Sequence, residues 1–176
     1  MVGTGRGPLE RFGWAVFALS RVWATAGGVV LLAVMLMTVA SVAMRATLGA
    51  PILGDYELVE MGTAIGTFAF LPYCHQTGGN VLVDVFTSRA PERVKSALGA
   101  VSSLLLLIIA TVLLWRMALG GYDFYQYRET TTNLGIPRWW AFPPILISLA
   151  LLGLVSFCVL ARELAATVGG RVLDRA

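Results

Sequence analysis

Residues Val22 to Met44 form a run of 23 residues without an Asp, Glu, Lys or Arg. As an α-helix this run is roughly 34 Å long, enough to cross the hydrocarbon core of a bilayer with some tilt. Ser96 to Trp115 and Trp139 to Ala161 have the same character. A fourth stretch, Tyr56 to Cys74, carries Glu57 and Glu60 near its start. An acid at mid-helix costs ~3 kcal/mol to insert, while each Leu, Ile, Phe or Val returns about half a kcal/mol. Glu60 lies only about one turn from the helix end, where the penalty falls, and Ile65 to Leu71 is apolar throughout. The expectation is an all-α integral membrane protein: one membrane domain over residues 1–176, with four transmembrane helices at about 22–44, 56–74, 96–116 and 139–161.

Composition agrees. Of the 176 residues, 57% are hydrophobic and 13% charged, the latter roughly half the share in a soluble domain. This excludes an ordinary water-soluble enzyme domain, and with two cysteines it excludes a disulfide scaffold. Arg6, Arg11 and Arg21 precede the first apolar stretch like the charged region of a signal peptide. The stretch is longer than the ~7–15 residues of a signal core, so a retained first helix is expected. Nine of the thirteen basic residues fall before span one, between spans two and three, or after span four. By the positive-inside rule both termini are cytoplasmic. Divided among membrane flanks, these basic residues make no patch for nucleic acid.

Leu9, Phe12, Val16, Leu19, Val22 and Trp23 are spaced by threes and fours. Two readings fit: an amphipathic helix lying in the membrane interface, or a continuous long first helix. In the cytoplasmic loop a Gly-rich turn at 77–80 is followed by Val81 to Phe86, too apolar for a free loop. Pro91 and Glu92 suit the first turn of helix three, with Ser88 as a cap. The loop Gly120 to Arg138 holds Tyr122, Tyr125 and Tyr127 and ends at Trp139-Trp140, an aromatic belt at a span boundary.

Little of this suggests catalysis. The single histidine, His75, is too few for a di-haem cytochrome. Cys74 and Cys158 stand far apart with no CxxC or HExxH, so free thiols are expected and no zinc site. No phosphate-binding or dinucleotide fingerprint is present. The most informative charges are Glu57 and Glu60, three apart on helix two, and Arg116, near the end of helix three. Ionisable groups in a membrane usually pair or carry function. An ion-pair layer locking helices two and three is the first expectation, contact with a partner subunit the second and an ion path the third. Gly62 and Gly66 form a GxxxG, read chiefly as a close-packed helix face.

From Gly54 to Leu152 the chain resembles the small permease subunit, the DctQ type, of tripartite ATP-independent periplasmic (TRAP) transporters. Three places carry the resemblance: Gly54-Asp55-Tyr56-Glu57 opening helix two, Asn80-Val81-Leu82-Val83-Asp84 in the cytoplasmic loop, and Thr132-Asn133-Leu134-Gly135-Ile136-Pro137-Arg138-Trp139 entering helix four. Asn80 stands where the family more often has histidine. The resemblance implies a scaffold subunit in a bacterial inner membrane, without cofactor or enzymatic activity. Its partners would be lipid, a large multi-span permease subunit and a periplasmic binding protein that captures an organic acid. A sodium gradient would act through the large subunit. Glu57, Arg116, Asp84 and Trp139 would then be structural or interface residues, with Glu60, Asn80 and Pro137 as further candidates. The alternatives are the small subunit of a tripartite tricarboxylate-type carrier and the membrane anchor of a quinone-linked oxidoreductase.

Overall fold

A computed structural model describes residues 8–77 and 92–169, with side chains for 13–77 and 98–164. Helix α1 runs unbroken from Pro8 to Leu48, about 61 Å at 1.5 Å per residue. The Gly49 N–H, bonded to the Arg45 carbonyl at 3.2 Å, closes it. Of the two readings of residues 9–23, the structure has the continuous helix. No proline interrupts this segment, and its side chains pack: Val16, Ser20 and Ala24, spaced by four, are buried, and the Phe17 ring lies 6.0 Å from that of Tyr73.

Helix α2, Asp55–Gln76, is antiparallel to α1. The pairing runs from Ser41 beside Asp55, through Val34 on Gly62 and Leu31 on Gly66, to Phe17 beside Tyr73. A Cβ on Gly62 or Gly66 would overlap the Val34 or Leu31 side chain. The GxxxG therefore serves this intrachain contact, letting α1 and α2 approach closely enough for van der Waals packing to hold them.

Helix α3, Glu92–Gln126, has 35 residues and continues ten beyond Arg116. The loop expected from Gly120 is thus corrected, since residues 120–126 are helical. One charge does not end a helix, and Met117 to Leu119 continue the apolar sequence. After a loop, a 3-10 turn at Arg138–Ala141 leads into α4, Phe142–Gly169. Pro143 and Pro144 sit in the first turn, where their missing N–H groups cost no intrahelical bond.

In space the order is α1, α2, α4, α3. α2 and α4 each have a helix on either side, α1 also touches α4, and α1 and α3 form the flanks. The core lies where Met61, Ala64, Ile65 and Phe68 of α2 meet Ala110 of α3 and Ile145, Leu149 and Leu152 of α4. The Trp23 indole N–H, donated to the Ser148 hydroxyl at 2.8 Å, ties α1 to α4. The described residues contain no strand, only an isolated bridge between Thr130 and Pro137. Three stretches are long and apolar enough to cross a membrane: Gly13–Leu48, Leu98–Gln126 and Arg138–Leu164. α2, with its acids, is not among them.

Candidate functional site

The polar groups of the layer gather at one end, where the α1–α2 turn meets the loop between α3 and α4. Gly54 opens α2 in the left-handed region, φ 74°, a conformation that disfavours any residue with a Cβ. A Cβ there would also overlap the Leu134 side chain. Gly54 thus both turns the chain and lets the distant loop close down on it.

Three residues on, Glu57 is 7% exposed. Its Oε1 accepts the Asn133 N–H at 2.6 Å and its Oε2 the Leu134 N–H at 3.0 Å. The Thr131 hydroxyl and the Thr132 N–H also bond toward the carboxylate. An ionised carboxylate receiving backbone N–H groups makes the stronger, charge-assisted kind of hydrogen bond. The loop is shaped to present them. Thr131 is buried, its N–H bonds to the Ile136 carbonyl at 2.9 Å, and its hydroxyl accepts the Ile136 N–H at 3.0 Å. Glu57 thereby clamps the α3–α4 loop onto the start of α2.

A second connection joins α1 to α2. The buried Ser41 donates its hydroxyl to Asp55 Oδ2 at 2.6 Å and accepts the Ile52 N–H at 3.2 Å. Arg45 approaches the same carboxylate at 3.8 Å, the ion pair found among the described residues. An exposed pair at that separation adds little on its own. The geometry rests on Ser41.

The expected ion-pair layer is corrected here. Glu57 bonds to backbone amides, Glu60 is exposed, and neither is paired with Arg116, itself exposed on α3. α2 and α3 both pack on α4 and meet only at the shared core, so similar depth does not bring their charges together. Pro137, φ −61°, leads into the 3-10 turn and bridges to Thr130. Trp139 stands edge-on to Tyr125 at 5.5 Å and to Trp140 at 6.4 Å. Tyr125, Pro137 and Trp139, with Gln126, Arg128 and Thr130, line an open pocket of about 530 Å³. Asn80 and Asp84, and the expectations for Val81 to Phe86, Ser88 and Pro91, lie outside the described residues.

Ser41, Asp55, Thr131 and Gly54 escaped charge-based reasoning. Ser41 sits inside an apolar run, and the partners of Glu57 are main-chain groups with no sequence signature. Elsewhere, His75 is buried, and its ring nitrogens have no hydrogen-bond partner among the described residues. Both cysteines are free thiols. Among the described residues no three His, Cys, Asp or Glu side chains gather to hold a metal.

The arrangement fixes two helices and a loop to one another; among the described residues it assembles no nucleophile with a base. No curated protein and no solved structure matches the chain. A family model described as "Tripartite ATP-independent periplasmic transporters, DctQ component" matches residues 34–166, which include the clamp, all of α2 and α3 and most of α4. The chain belongs to the DctQ family, the small membrane component of these transporters.

Proposed function

We propose that the chain is a four-span scaffold in a bacterial inner membrane that braces a large multi-span permease subunit. A periplasmic protein would deliver an organic acid to that permease, and a sodium gradient would drive it. The observation that carries the reading is the exposure of the flanking helices. Leu32, Met35, Leu36 and Val39 of α1, and Leu105, Ile108, Ile109 and Val112 of α3, are each half exposed or more. Lipid can cover such faces, but so can another membrane protein, which fits a subunit whose family works as one component of three.

α2 is the fourth span on this reading. It lies beside α1 from Ser41 to Phe17, about 36 Å of helix, so it crosses wherever the Val22–Met44 run crosses. Its acids fall at the clamp end, where Glu57 accepts hydrogen bonds from two amides and Glu60 is about one turn from the helix end. With nine basic residues at the other end, the clamp faces the periplasm and both termini the cytoplasm.

Affinity purification of the full chain from its native membrane in mild detergent, with mass spectrometry of what accompanies it, tests the reading. A stoichiometric large permease subunit is expected. Recovery of the chain alone, or with a redox enzyme, would overturn it.

A further inference from the structure

The neighbours of Arg116 set its depth. α3 and α4 are antiparallel, with Gly99 against Glu163, Gly121 against Phe142, and Tyr125 against Trp139. This register places Arg116 opposite Ile147. The charge-free part of α4 is bracketed by Arg138 and Arg162, so Ile147 lies about 12 Å inside the clamp-end boundary and only a few ångströms from the middle. If α4 crosses the membrane, as the four-span reading holds, Arg116 is near the centre of the hydrocarbon.

Nothing on the described chain compensates it. Arg116 is exposed and has no ion partner among the described residues. On α3 the acid toward the clamp end is Asp123, two turns away, and α4 has no acid between Arg138 and Glu163. Glu60 is exposed on α2, which joins α3 chiefly through α4, and no ion pair links it to Arg116 among the described residues. The surrounding surface is apolar, formed by Val112, Trp115 and Leu119. Reaching the headgroups is also unfavourable. A helical Cα–Cβ bond tilts toward the helix N-terminus, which for α3 is away from the nearer, clamp-end surface. Glu60 has the opposite situation: α2 starts at the clamp end, so its side chain leaves in the direction of water.

We infer that the Arg116 face of α3 is covered by a helix of the large permease subunit bearing an Asp or Glu side chain at mid-membrane depth. An arginine at this depth on a lipid-facing surface is strongly disfavoured, whereas a carboxylate offers charge neutralisation and a planar, two-pronged hydrogen-bond partner. The inference deepens the scaffold reading and rests on it: that reading supplies a partner, and Arg116 assigns the face and the chemistry that partner must present.

The test compares full-length wild type, Arg116→Leu and Arg116→Lys, each co-expressed with the large subunit and recovered by a tag on this chain. Arg116→Leu is expected to lower the large subunit recovered on the order of tenfold and Arg116→Lys less, because the lysine keeps the charge but loses the fork. Leucine suits lipid better than arginine, so the level of the variant itself should not fall. A photoreactive residue at Val112, one turn from Arg116, should cross-link to a large-subunit segment with an Asp or Glu within a turn. Equal recovery of the large subunit with Arg116→Leu, or cross-links to lipid alone, would overturn the inference while leaving the scaffold reading intact. A wild-type chain that recovers no large subunit would overturn the scaffold reading itself.

Discussion

The clamp end and the middle of the flanking helices are built on opposite principles. At the clamp end, polar groups are answered from within the chain: Glu57 by the amides of 133 and 134, Asp55 by Ser41, and the amide and hydroxyl of Thr131 by Ile136. Toward the middle of α1 and α3 the side chains are apolar and uncovered, Leu32 and Ile108 each at 52% exposure, and Arg116 has no partner ion among the described residues. Hydrogen bonds to main chain are directional and local, so they can fix a loop and two helix ends without help. Apolar side chains in a bilayer gain little from one another, because lipid is an equally apolar neighbour. The end of the layer therefore defines its own structure, while its flanks are left for whatever adjoins them.

Substitutions can break this comparison. The largest effect is expected from Glu57→Ala, which leaves the Asn133 and Leu134 N–H groups without their acceptor. Thermal denaturation of the purified chain should fall by on the order of 10 °C, with hydrogen exchange at Asn133 and Leu134 becoming fast. Glu57→Gln, keeping one acceptor oxygen, should lie between. Unchanged exchange in Glu57→Ala would mean the loop holds itself.

Gly66→Leu should come next, because it drives a side chain into Leu31 and separates α1 from α2. A destabilisation of about 3 kcal/mol is expected, read as the change in the detergent-unfolding midpoint. Ser41→Ala removes the hydroxyl that holds Asp55 and Ile52, with an expected loss of about 1–2 kcal/mol in the same assay. The smallest effect sharpens the comparison most. Ile108→Thr, on the uncovered face of α3, should change the stability of the isolated chain by less than about 0.5 kcal/mol and yet lower recovery of the large subunit. A large loss in the isolated chain would mean this face is packed internally.

Much of the framework was legible from residue order alone. Four apolar runs became four helices, and the GxxxG marked a close contact because glycine spacing reports directly on how near two helices can come. The clamp was only half legible. Glu57 stands out as an acid inside an apolar segment, but the natural search is for an opposite charge, and its partners are peptide groups of a loop 76 residues away. Arg116 shows a related limit: ending a span at its first charge sets no end to the helix, and α3 runs on to Gln126. Only the register of α3 against α4, set by Gly99, Gly121 and Tyr125, shows that Arg116 stands level with Ile147.

The account depends most on α2 crossing the membrane with the Glu57 clamp on the outside. Cysteine labelling in intact cells tests this, using a Cys74→Ser, Cys158→Ser background and an impermeant maleimide. Leu53→Cys and Thr77→Cys place a thiol just before α2 and just after it, both at exposed positions. The four-span account predicts that the thiol at 53 is modified from the periplasm and the thiol at 77 only after the inner membrane is permeabilised. Modification of both from the same side would contradict it, leaving α2 as a helix that does not span the bilayer.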